Sequence, residues 1–430
     1  MSEKRPSYDP TWGFETRAIH AGTPPDPASG ACVPTIQQTA AYVFPDSETA
    51  AKRFDLDESG NVYSRITNPT VAALEKKLAV LEGGVGATCT ASGHSAQVVA
   101  LLPLLSTGDD VVAARQLYGG SVAQFNYVFQ RLGWRSRLVD ARDPGNVERA
   151  IGPRTRAVFV ESLANPDGLV VDVEALARIA HRAGVPLIVD NTLATPYLLR
   201  PFEWGADLVI HSTTKFLNGH GNAIGGAIVD SGRFDWSLVA ALAEPCPAYH
   251  GLRFAERFGK LAFTAYAHAI GLRDLGPTMA PLNAFLTIVG VETLSLRMQR
   301  HCENALAVAR FLDRHPKVAW VSYAGLPDTP QRSLVAKYLP KGAGAVFTFG
   351  VKGGLDAGRT LVETVRLIGH VANIGDARTL IIHPASTTHR PLSAAELQES
   401  GIGPEAVRIS VGLETAADLI GDLDQALAKI

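Results

Sequence analysis

Short apolar segments alternate with helical segments from about residue 84 to about residue 285, and this alternation limits the choice of fold more than any other property of the sequence. Each apolar segment has the length and the Val, Ile and Ala content of a buried strand. The segments are residues 111–113, 137–139, 157–160, 185–189, 207–210 and 227–229. Because helices between strands return the chain to the same end of a sheet, the sequence predicts an α/β fold with a mostly parallel central sheet and helices on both faces.

The sequence on either side of this region has a different character. Residues 1–62 are rich in Pro, Thr, Ser and Gly with little helical periodicity, which predicts an irregular arm able to reach a partner subunit. Residues 63–285 are expected to form the large domain, and residues 286–430 a smaller C-terminal α/β domain that begins with a long helix over 292–313. The strand-like segments of this last domain are residues 318–321, 345–349 and 407–411.

The composition argues against two classes of partner. With 40 basic and 42 acidic residues the formal net charge is -2, and no basic block is interleaved with aromatic residues, so nucleic acid is not an expected partner. The apolar run over residues 98–105 is far shorter than the roughly 20 residues that a membrane helix needs. The first residues lack the apolar core of a secretory signal. We therefore expect a cytoplasmic protein without a membrane span.

The spacing of cysteines and histidines gives no indication of a metal site. None of the four cysteines belongs to a Cys-x-x-Cys or mixed Cys/His motif. The histidines at 211, 220, 383 and 389 match no common zinc pattern. The sequence therefore predicts no bound metal ion.

Two charged residues follow two of the predicted strands. Asp190 comes directly after the segment 185–189, and Lys215 lies 25 residues further along, in the run His-Ser-Thr-Thr-Lys-Phe. Ligands of open α/β sheets bind at the carboxyl ends of such strands. A lysine that forms a Schiff base with pyridoxal phosphate needs a fixed position, and the pyridine nitrogen of that cofactor needs a carboxylate partner. Either residue alone would be an ordinary surface or turn residue, but the pair predicts a pyridoxal phosphate site.

Other segments supply the groups that bind a phosphate, which are free backbone amides at a helix start, hydroxyl groups and a cation. The amides are expected where a strand-like segment passes into a helical one, and the hydroxyl groups flank the lysine. The residues concerned are Ser92, Gly93 and His94 at the predicted helix start, Ser212 and Thr214 beside Lys215, and Tyr63 and Arg65 in the run 63–70. These segments strengthen the prediction of a phosphorylated cofactor.

Six motifs follow one another along the chain, and their joint order is far more specific than any one of them. They are Tyr-Ser-Arg-x-x-Asn-Pro-Thr at 63–70, Ala-Ser-Gly at 91–93, Leu-Tyr-Gly-Gly at 117–120, Glu-Ser-x-x-Asn-Pro at 161–166, Asp-Asn-Thr at 190–192 and Ser-x-Thr-Lys at 212–215. Together they resemble the Cys/Met-metabolism family of pyridoxal-phosphate enzymes, from about residue 14 to the C-terminus. The resemblance implies fold type I of the pyridoxal-phosphate-dependent transferases.

The resemblance also implies how the cofactor is held. Lys215 would carry pyridoxal 5'-phosphate and move protons, and Asp190 would pair with the ring nitrogen. Tyr118 would stack on the ring and assist the leaving group, and Thr192 would add a further cofactor contact. The family pattern has Gln or Met where this chain has His94, whose backbone amide can still bind phosphate.

Substrate binding and assembly follow from the same resemblance. Asn165 and Arg408 would hold the α-carboxylate of an amino-acid substrate, and Asn373 would bind the substrate near that carboxylate. Arg408 alternates with apolar neighbours on its predicted strand, so its side chain is expected on the opposite face from theirs. Tyr63 and Arg65 would reach the phosphate in the neighbouring subunit, which implies a dimer with shared sites, and dimers that pair into a homotetramer.

Within the family, the chain resembles the O-acetylhomoserine sulfhydrylase branch. The segments that resemble ones common in this branch are residues 244–275, 290–298 and 383–389. Asn373 and Arg378 stand where cystathionine-forming and cystathionine-cleaving relatives carry Ser and Glu, which disfavours a bulky amino-acid thiol as substrate. Gly120 stands where methionine γ-lyases carry Cys, which disfavours lyase chemistry.

The implied reaction is a γ-substitution that serves methionine biosynthesis. Sulfide or methanethiol would replace the acetate of O-acetyl-L-homoserine and give L-homocysteine or L-methionine. Two alternatives within the family stay open: an O-succinylhomoserine sulfhydrylase, and a methionine or cystathionine γ-lyase that releases 2-oxobutanoate. A catalytically silent relative that acts as a binding module would be expected to lack Lys215 or Asp190, and both are present.

Overall fold

The larger of two sheets in the structure, a computed structural model that describes residues 9–165, 168–387 and 403–430, has seven strands. These are β1 Gly86–Thr90, β2 Asp110–Ala114, β3 Arg135–Val139, β4 Thr155–Glu161, β5 Leu187–Asp190, β6 Leu208–His211 and β7 Gly226–Asp230. They are ordered β1-β7-β6-β5-β4-β2-β3. Every pairing among β2 to β6 is parallel, whereas β7 is antiparallel to both of its neighbours. The prediction of a mostly parallel sheet is confirmed.

The direction of β7 follows from the connection before it. Residues 212–225 join β6 to β7 as a loop without a crossover helix, so the chain turns back antiparallel. By contrast β5 and β6 run parallel, with Asp190 opposite Ile210. The carboxyl ends of β4, β5 and β6 consequently lie at one edge of the sheet, where the predicted cofactor residues are expected.

Helices cover both faces of this sheet. The α-helices up to residue 292 are α1 Phe14–His20, α2 Ser47–Phe54, α3 Pro69–Glu82, α4 Gly93–Leu101, α5 Gly119–Ala123, α6 Phe129–Arg131, α7 Pro144–Ala150, α8 Val173–Arg182, α9 Thr195–Leu198, α10 Ala240–Ala243, α11 Phe254–Phe258, α12 Ala262–Tyr266, α13 Arg273–Leu275 and α14 Pro281–Glu292. Two π-helical turns, Gln124–Val128 and Ala267–Leu272, interrupt this series. The domain boundary predicted at residue 285 falls inside α14.

The C-terminal region forms a second, smaller sheet with helices. Its strands are β8 Val318–Ser322, β9 Val346–Val351, β10 Gly369–His370, β11 Leu380–Ile382 and β12 Ala406–Ser410. They are ordered β10-β11-β12-β9-β8, and only β10 and β11 pair in parallel. Its helices are α15 Leu294–Arg314, α16 Arg332–Tyr338, α17 Gly354–Thr364 and α18 Ala416–Leu427. The predicted long helix and three strands are confirmed. No helix in the described ranges is long and apolar enough to cross a membrane.

The arm is more regular than the sequence predicted, because α1 and α2 are helical. Helix α1 is stabilised by residues distant in the sequence. Phe14 packs edge-on against Tyr197 with ring centroids 5.4 Å apart, and the buried Lys77 ammonium donates to the carbonyls of Ala18 and Ile19. Composition could not reveal these tertiary contacts. Helix α2 buries none of its residues.

An ion pair joins α3 to the second π-helical turn. Glu75 Oε1 lies 3.3 Å from His268 Nε2, while His268 Nδ1 lies 3.1 Å from the carbonyl oxygen of Ile66. Burial alone would lower the pKa of His268, but the charge and hydrogen bond of Glu75, with the carbonyls of Ile66 and Ala87, raise it to about 9. Because both ring nitrogens face acceptors, the imidazole donates from both and is charged at neutral pH.

This pair predicts a pH-dependent contribution to stability. A histidine whose pKa is raised on folding contributes stability that is complete below its unfolded pKa of about 6.5 and is lost as pH rises through the folded value, here about 9. The melting temperature of a His268→Gln variant should therefore lie furthest below wild type at about pH 6.5 and lower, and the gap should shrink as the pH rises through about 9. Thermal unfolding of both proteins across this range measures the gap. A gap that does not vary with pH would contradict the assignment.

Candidate active site

A cavity of about 270 Å³ lies at the edge of the large sheet where β4, β5 and β6 end. The large domain and the C-terminal domain both contribute residues to its walls. The predicted site residues that line it are Ser92, Gly93, His94, Tyr118, Asn165, Asp190, Thr192, Ser212, Thr214, Lys215, Asn373 and Arg408. The sequence predictions therefore converge on one place, with Tyr63 and Arg65 as the two exceptions.

Lys215 lies in the turn after β6, and its amine enters the cavity. Its Nζ donates to Asn373 Oδ1 at 2.5 Å, and its backbone carbonyl accepts from the amide of Gly219. Burial, helped by the positive charge of Arg408, lowers the pKa of Lys215 to about 8. An appreciable fraction of the amine is therefore unprotonated near neutral pH, which suits a nucleophile or a proton carrier.

A glycine allows the C-terminal domain to approach this lysine closely. Gly375 has a φ of +71°, and a Cβ there would lie 2.7 Å from the amide nitrogen of Phe216 and 3.0 Å from Lys215 Cβ. A larger residue would both strain the backbone and displace the lysine turn. This close approach brings the neighbouring Asn373 within hydrogen-bonding distance of the amine.

Asp190 is the last residue of β5 and faces the cavity. Burial raises the pKa of its carboxyl group, while hydrogen bonds from the hydroxyl and amide of Thr192 act in the opposite direction. A buried carboxylate is stabilised by a cation placed against it. Asp190 is thus suited to hold a protonated heterocyclic nitrogen.

The start of α4 also lines the cavity. The first turn of a helix leaves backbone amides without an intrahelical acceptor, and Gly93 and His94 are the first two residues of this helix. Ser92 caps it by accepting from the amide of Ser95. A Cβ on Gly93 would come within 2.9 Å of Ser212 Cβ, so only glycine allows this close packing. Helix amides and hydroxyls, here those of Ser92, Ser212 and Thr214, are of the kinds of group that can bind a phosphate.

Arg408 on β12 places a buried cation in the cavity wall. It is 9% exposed, and its Nη1 lies 3.4 Å from Asn165 Oδ1, while its Nη2 lies 3.5 Å from the carbonyl oxygen of Asn373. Burial lowers its pKa to about 10, so the guanidinium still carries its charge at neutral pH. These long contacts leave a guanidinium able to bind a carboxylate through two hydrogen bonds.

Tyr118 presents an aromatic ring to the cavity. Tyr118 is 48% exposed. The His94 ring lies nearly parallel to the Tyr118 ring, with centroids 5.9 Å apart and an interplanar angle of 26°. Burial lowers the pKa of His94, so this imidazole is neutral at neutral pH. The departure of His94 from the family pattern therefore adds a flat, uncharged ring beside the tyrosine.

Glu161 is the residue that the sequence analysis missed. Its Oε1 accepts from the backbone amide of Tyr118 at 2.6 Å and its Oε2 accepts from the backbone amide of Asn165 at 2.9 Å. One carboxylate thus supports both the backbone that carries Tyr118 and the loop that carries Asn165. The motif at 161–166 contains this glutamate, and its place at the end of a buried strand was the available signal.

A second polar cluster lies fully buried beneath these strand ends. Glu82 Oε1 is 2.6 Å from His211 Nε2 and accepts from Asn191 Nδ2 at 3.0 Å, and Asn191 Oδ1 accepts from Ser162 at 2.8 Å. In the sequence, Asn191 directly follows Asp190, and His211 directly precedes the turn that contains Lys215. The cluster therefore fixes the ends of β4, β5 and β6 relative to one another.

Tyr63 and Arg65 lie outside the cavity of their own chain. Both residues are exposed, and the Arg65 guanidinium lies 5.4 Å from the Tyr63 ring centroid and donates to the carbonyl of Arg273. Among the described residues, no group of three or more His, Cys, Asp or Glu side chains is placed to hold a metal ion. Pro166 of the motif at 161–166 lies outside the described ranges. The same is true of residues 388–389 of the segment 383–389, which include His389.

The groups that line the cavity fit pyridoxal phosphate. A buried amine stands ready for its aldehyde, a buried carboxylate for its ring nitrogen, and helix amides with hydroxyls for its phosphate. The exposed ring of Tyr118 offers a face for stacking on the pyridine. A guanidinium remains for a substrate carboxylate, so the cavity has a donor or acceptor for each part of a cofactor and an amino acid.

Known proteins resemble the chain along nearly its full length. A sequence model described as Cys/Met metabolism PLP-dependent enzyme matches residues 15–428. An O-acetyl-L-homoserine sulfhydrylase of Leptospira meyeri is 46% identical over 97% of each chain, and O-acetyl-L-homoserine sulfhydrylase 1 of Thermus thermophilus is 49% identical over 96% of this chain and 100% of the relative. A homocysteine synthase of Schizosaccharomyces pombe is 46% identical over 96% of this chain and 98% of the relative.

A solved structure is similar over the whole fold. It is the crystal structure of a Campylobacter jejuni protein assigned as a candidate O-acetylhomoserine (thiol)-lyase, with a TM-score of 0.94 and 38% sequence identity. The match covers 97% of this chain and 100% of that one. That protein carries an N'-pyridoxyl-lysine-5'-monophosphate. The structural likeness thus extends to a protein with a pyridoxal group joined to a lysine.

Proposed function

The chain belongs to the Cys/Met metabolism family of pyridoxal-phosphate-dependent enzymes, and we propose that it converts O-acetyl-L-homoserine and sulfide to L-homocysteine and acetate. The observation that carries the proposal is the meeting of Lys215, Asp190 and Arg408 in one cavity. Relatives 44–49% identical over nearly the whole chain are sulfhydrylases of this type or homocysteine synthases, which supports the choice of substrate. Methanethiol in place of sulfide would give L-methionine.

Substrate orientation is assigned to Arg408 and the two asparagines beside it. Arg408 binds the α-carboxylate through its guanidinium, and Asn165 and Asn373 hold that guanidinium in place through their oxygen atoms. The amino group of the substrate is thereby directed toward Lys215, and the γ-carbon toward the open side of the cavity. Tyr118 stands beside this path and can donate a proton to the departing acetate.

Proton movement is assigned to Lys215. Bound pyridoxal phosphate supplies an electron sink that stabilises negative charge at the α-carbon of the amino acid. Lys215 Nζ, whose pKa is lowered to about 8, accepts the proton from the α-carbon and returns protons after sulfur has added. Asp190 keeps the ring nitrogen protonated. The Cγ–O bond to acetate breaks, the Cγ–S bond forms, and hydrosulfide ion plus ester give homocysteine plus acetate.

We further propose that two chains form a dimer in which each chain contributes residues to the site of the other. Tyr63 and Arg65 are exposed and lie outside the cavity of their own chain, and α2, in the arm that precedes them, buries none of its residues. An exposed tyrosine and arginine that follow a helix without buried residues suit contact with a second copy. Arg65 would then bind the phosphate in the neighbouring site, and the arm, residues 1–62, would cover part of it. Such dimers would pair into a tetramer.

Replacing Arg408 with alanine should raise KM for the amino-acid ester by about a hundredfold, since a hydrogen-bonded charge pair contributes about 1.5–3 kcal/mol. The value of kcat should fall much less, because the groups that move protons are intact. Steady-state kinetics with varied ester measures both constants. Arg359→Ala, which removes an exposed arginine of α17, is the control and should leave both unchanged. A fall in kcat with unchanged KM would contradict the role given to Arg408.

The proposed reaction is tested with purified, cofactor-loaded protein. O-acetyl-L-homoserine is supplied with and without sulfide, O-succinyl-L-homoserine is supplied in parallel, and homocysteine and 2-oxobutanoate are both measured. Sulfide-dependent homocysteine from the acetyl ester is the expected result. Faster turnover of the succinyl ester would reassign the leaving group, and 2-oxobutanoate as the main product in the presence of sulfide would reassign the enzyme as a γ-lyase.

A further inference from the structure

Residues 268–278, here called the bridging segment, contact two loops that the proposed function assigns to two different sites. The first is the arm loop, residues 63–67, which carries Tyr63 and Arg65 toward the neighbouring subunit. The second is the phosphate loop, residues 90–94, which belongs to the cavity of the same chain. The bridging segment includes most of the second π-helical turn and the whole of α13.

The bridging segment binds the arm loop through the backbone carbonyls of two consecutive residues of that loop. The hydroxyl of Thr278 donates to the carbonyl of Arg65 at 2.6 Å, and Nδ1 of His268 donates to the carbonyl of Ile66 at 3.1 Å. The loop itself is a tight turn, since the amide of Ile66 donates to the carbonyl of Tyr63 at 2.9 Å. The backbone from which the Arg65 side chain extends is therefore fixed from both sides.

The phosphate loop is held to the same segment. The amide of Ala91 donates to the carbonyl of Pro277 at 2.7 Å, and Thr90 and Thr278 form an antiparallel bridge. Thr278 consequently touches the phosphate loop through its backbone and the arm loop through its side chain. A shift of one loop therefore either breaks its contact with the bridging segment or is passed through Thr278 to the other loop.

The ion pair of Glu75 and His268 anchors this arrangement in α3. Glu75 Oε1 accepts from the amide of Cys89, the residue before the phosphate loop begins, at 2.8 Å, and also pairs with His268. Only 11% of the Glu75 side chain and 20% of the His268 side chain are exposed. A partly desolvated charge pair is held more rigidly than a neutral contact, because separating the charges is costly.

We propose that the bridging segment sets the position of the arm loop relative to the phosphate loop, with His268 and Thr278 as positioning residues for the neighbouring subunit's site. This inference rests on the proposed shared-site dimer. Neither residue lines the cavity of its own chain. Each acts on the backbone of the arm loop, so its loss should appear as weaker cofactor binding in the partner subunit, and not as a slower chemical step.

The first test uses the variants His268→Gln and Thr278→Val in the full-length protein. The concentration of pyridoxal phosphate that half-saturates the apoprotein, followed by its visible absorbance, should rise about tenfold in each, as expected for loss of a hydrogen bond near a charged group. The kcat at saturating cofactor should stay close to wild type. His181→Gln is the matched control: it removes another histidine–carboxylate pair, with Asp207 at 2.8 Å, outside the bridging segment, and should leave cofactor affinity unchanged.

The second test locates the defect with hybrid dimers that carry one functional lysine. In the first hybrid, a Lys215→Ala chain is paired with a His268→Gln chain, so the one intact site receives an unaltered arm loop. In the second, a wild-type chain is paired with a chain carrying both substitutions, so the one intact site receives the altered arm loop. Each hybrid is purified through two different affinity tags and compared with a wild-type/Lys215→Ala hybrid.

The proposal predicts that the first hybrid matches the reference in cofactor affinity and that the second is weakened about tenfold. The opposite pattern, an equal weakening in both hybrids, or no weakening in either would overturn it. Should His268→Gln not fold, which its melting temperature would reveal, Thr278→Val replaces it in both hybrids. Full activity of the Lys215→Ala homodimer would instead refute the proposed function, so the two failures are distinguishable.

Discussion

Replacing Lys215 with alanine is expected to reduce kcat by about a thousandfold or more, because a positioned proton carrier contributes about 10²- to 10⁴-fold and its covalent role is lost as well. The reason lies in its surroundings: burial and Arg408 lower its pKa to about 8, and Asn373 orients the amine. The visible absorbance band of the lysine-linked cofactor should disappear at the same time. Absorbance spectra and the homocysteine assay measure the two effects.

Lys77→Ala is the matched control for this experiment. Lys77 is fully buried, and burial lowers its pKa to about 8 as well, but it lies in α3 away from the cavity and binds the carbonyls at the end of α1. Its loss should lower the melting temperature while the absorbance band persists. Turnover by the Lys215→Ala protein at the wild-type rate, or retention of its absorbance band, would remove Lys215 from the mechanism.

Replacing Asp190 with asparagine is expected to reduce kcat by about a hundredfold. A hydrogen bond between charged groups contributes about 1.5–3 kcal/mol, and about 2.7 kcal/mol corresponds to that factor in rate. Asparagine keeps the size of the side chain but cannot hold a proton on the ring nitrogen, so the electron sink weakens. The cofactor should bind less tightly, and its absorbance spectrum should change, which separates this effect from general loss of structure.

Asp230→Asn provides the comparison for that substitution. Asp230 ends β7, is buried, and has a pKa that burial raises to about 7, yet it does not line the cavity. It accepts from the amide of Gly232, and asparagine can replace that contact. We expect unchanged cofactor spectra from this variant. If the Asp190→Asn variant had the same kcat and the same spectra as the Asp230→Asn variant, the pairing of Asp190 with the ring nitrogen would be wrong.

The placement of Asp190 and Lys215 could be predicted from the sequence for a physical reason. Both follow short apolar strands, and the carboxyl ends of parallel strands meet at one edge of a sheet. Gly93 was predictable in the same way, because a strand that passes into a helix leaves amides free at the turn. In each case the chemistry depends on neighbours in sequence, which periodicity and turn chemistry describe.

The remaining parts depend on contacts between distant residues. Asn373 meets Lys215 across 158 positions of sequence, and its place in the site was expected only from family resemblance. Three features were not predicted at all: the support given by Glu161, the docking of α1 through Lys77 and the two contacts of Thr278. Their signals are single polar residues with no periodic pattern, and their partners become apparent only once the chain has folded.

The double contact of Glu161 has a consequence for changing the specificity of this enzyme. Because one carboxylate supports the backbone of both Tyr118 and Asn165, substitutions that move either segment will be transmitted to the other. A library that varies these segments would therefore lose cofactor contacts while it searches for new substrates. Variation at Ile224, which lines the cavity and belongs to neither segment, leaves that support untouched. Directed evolution toward other esters or thiols should begin at that position.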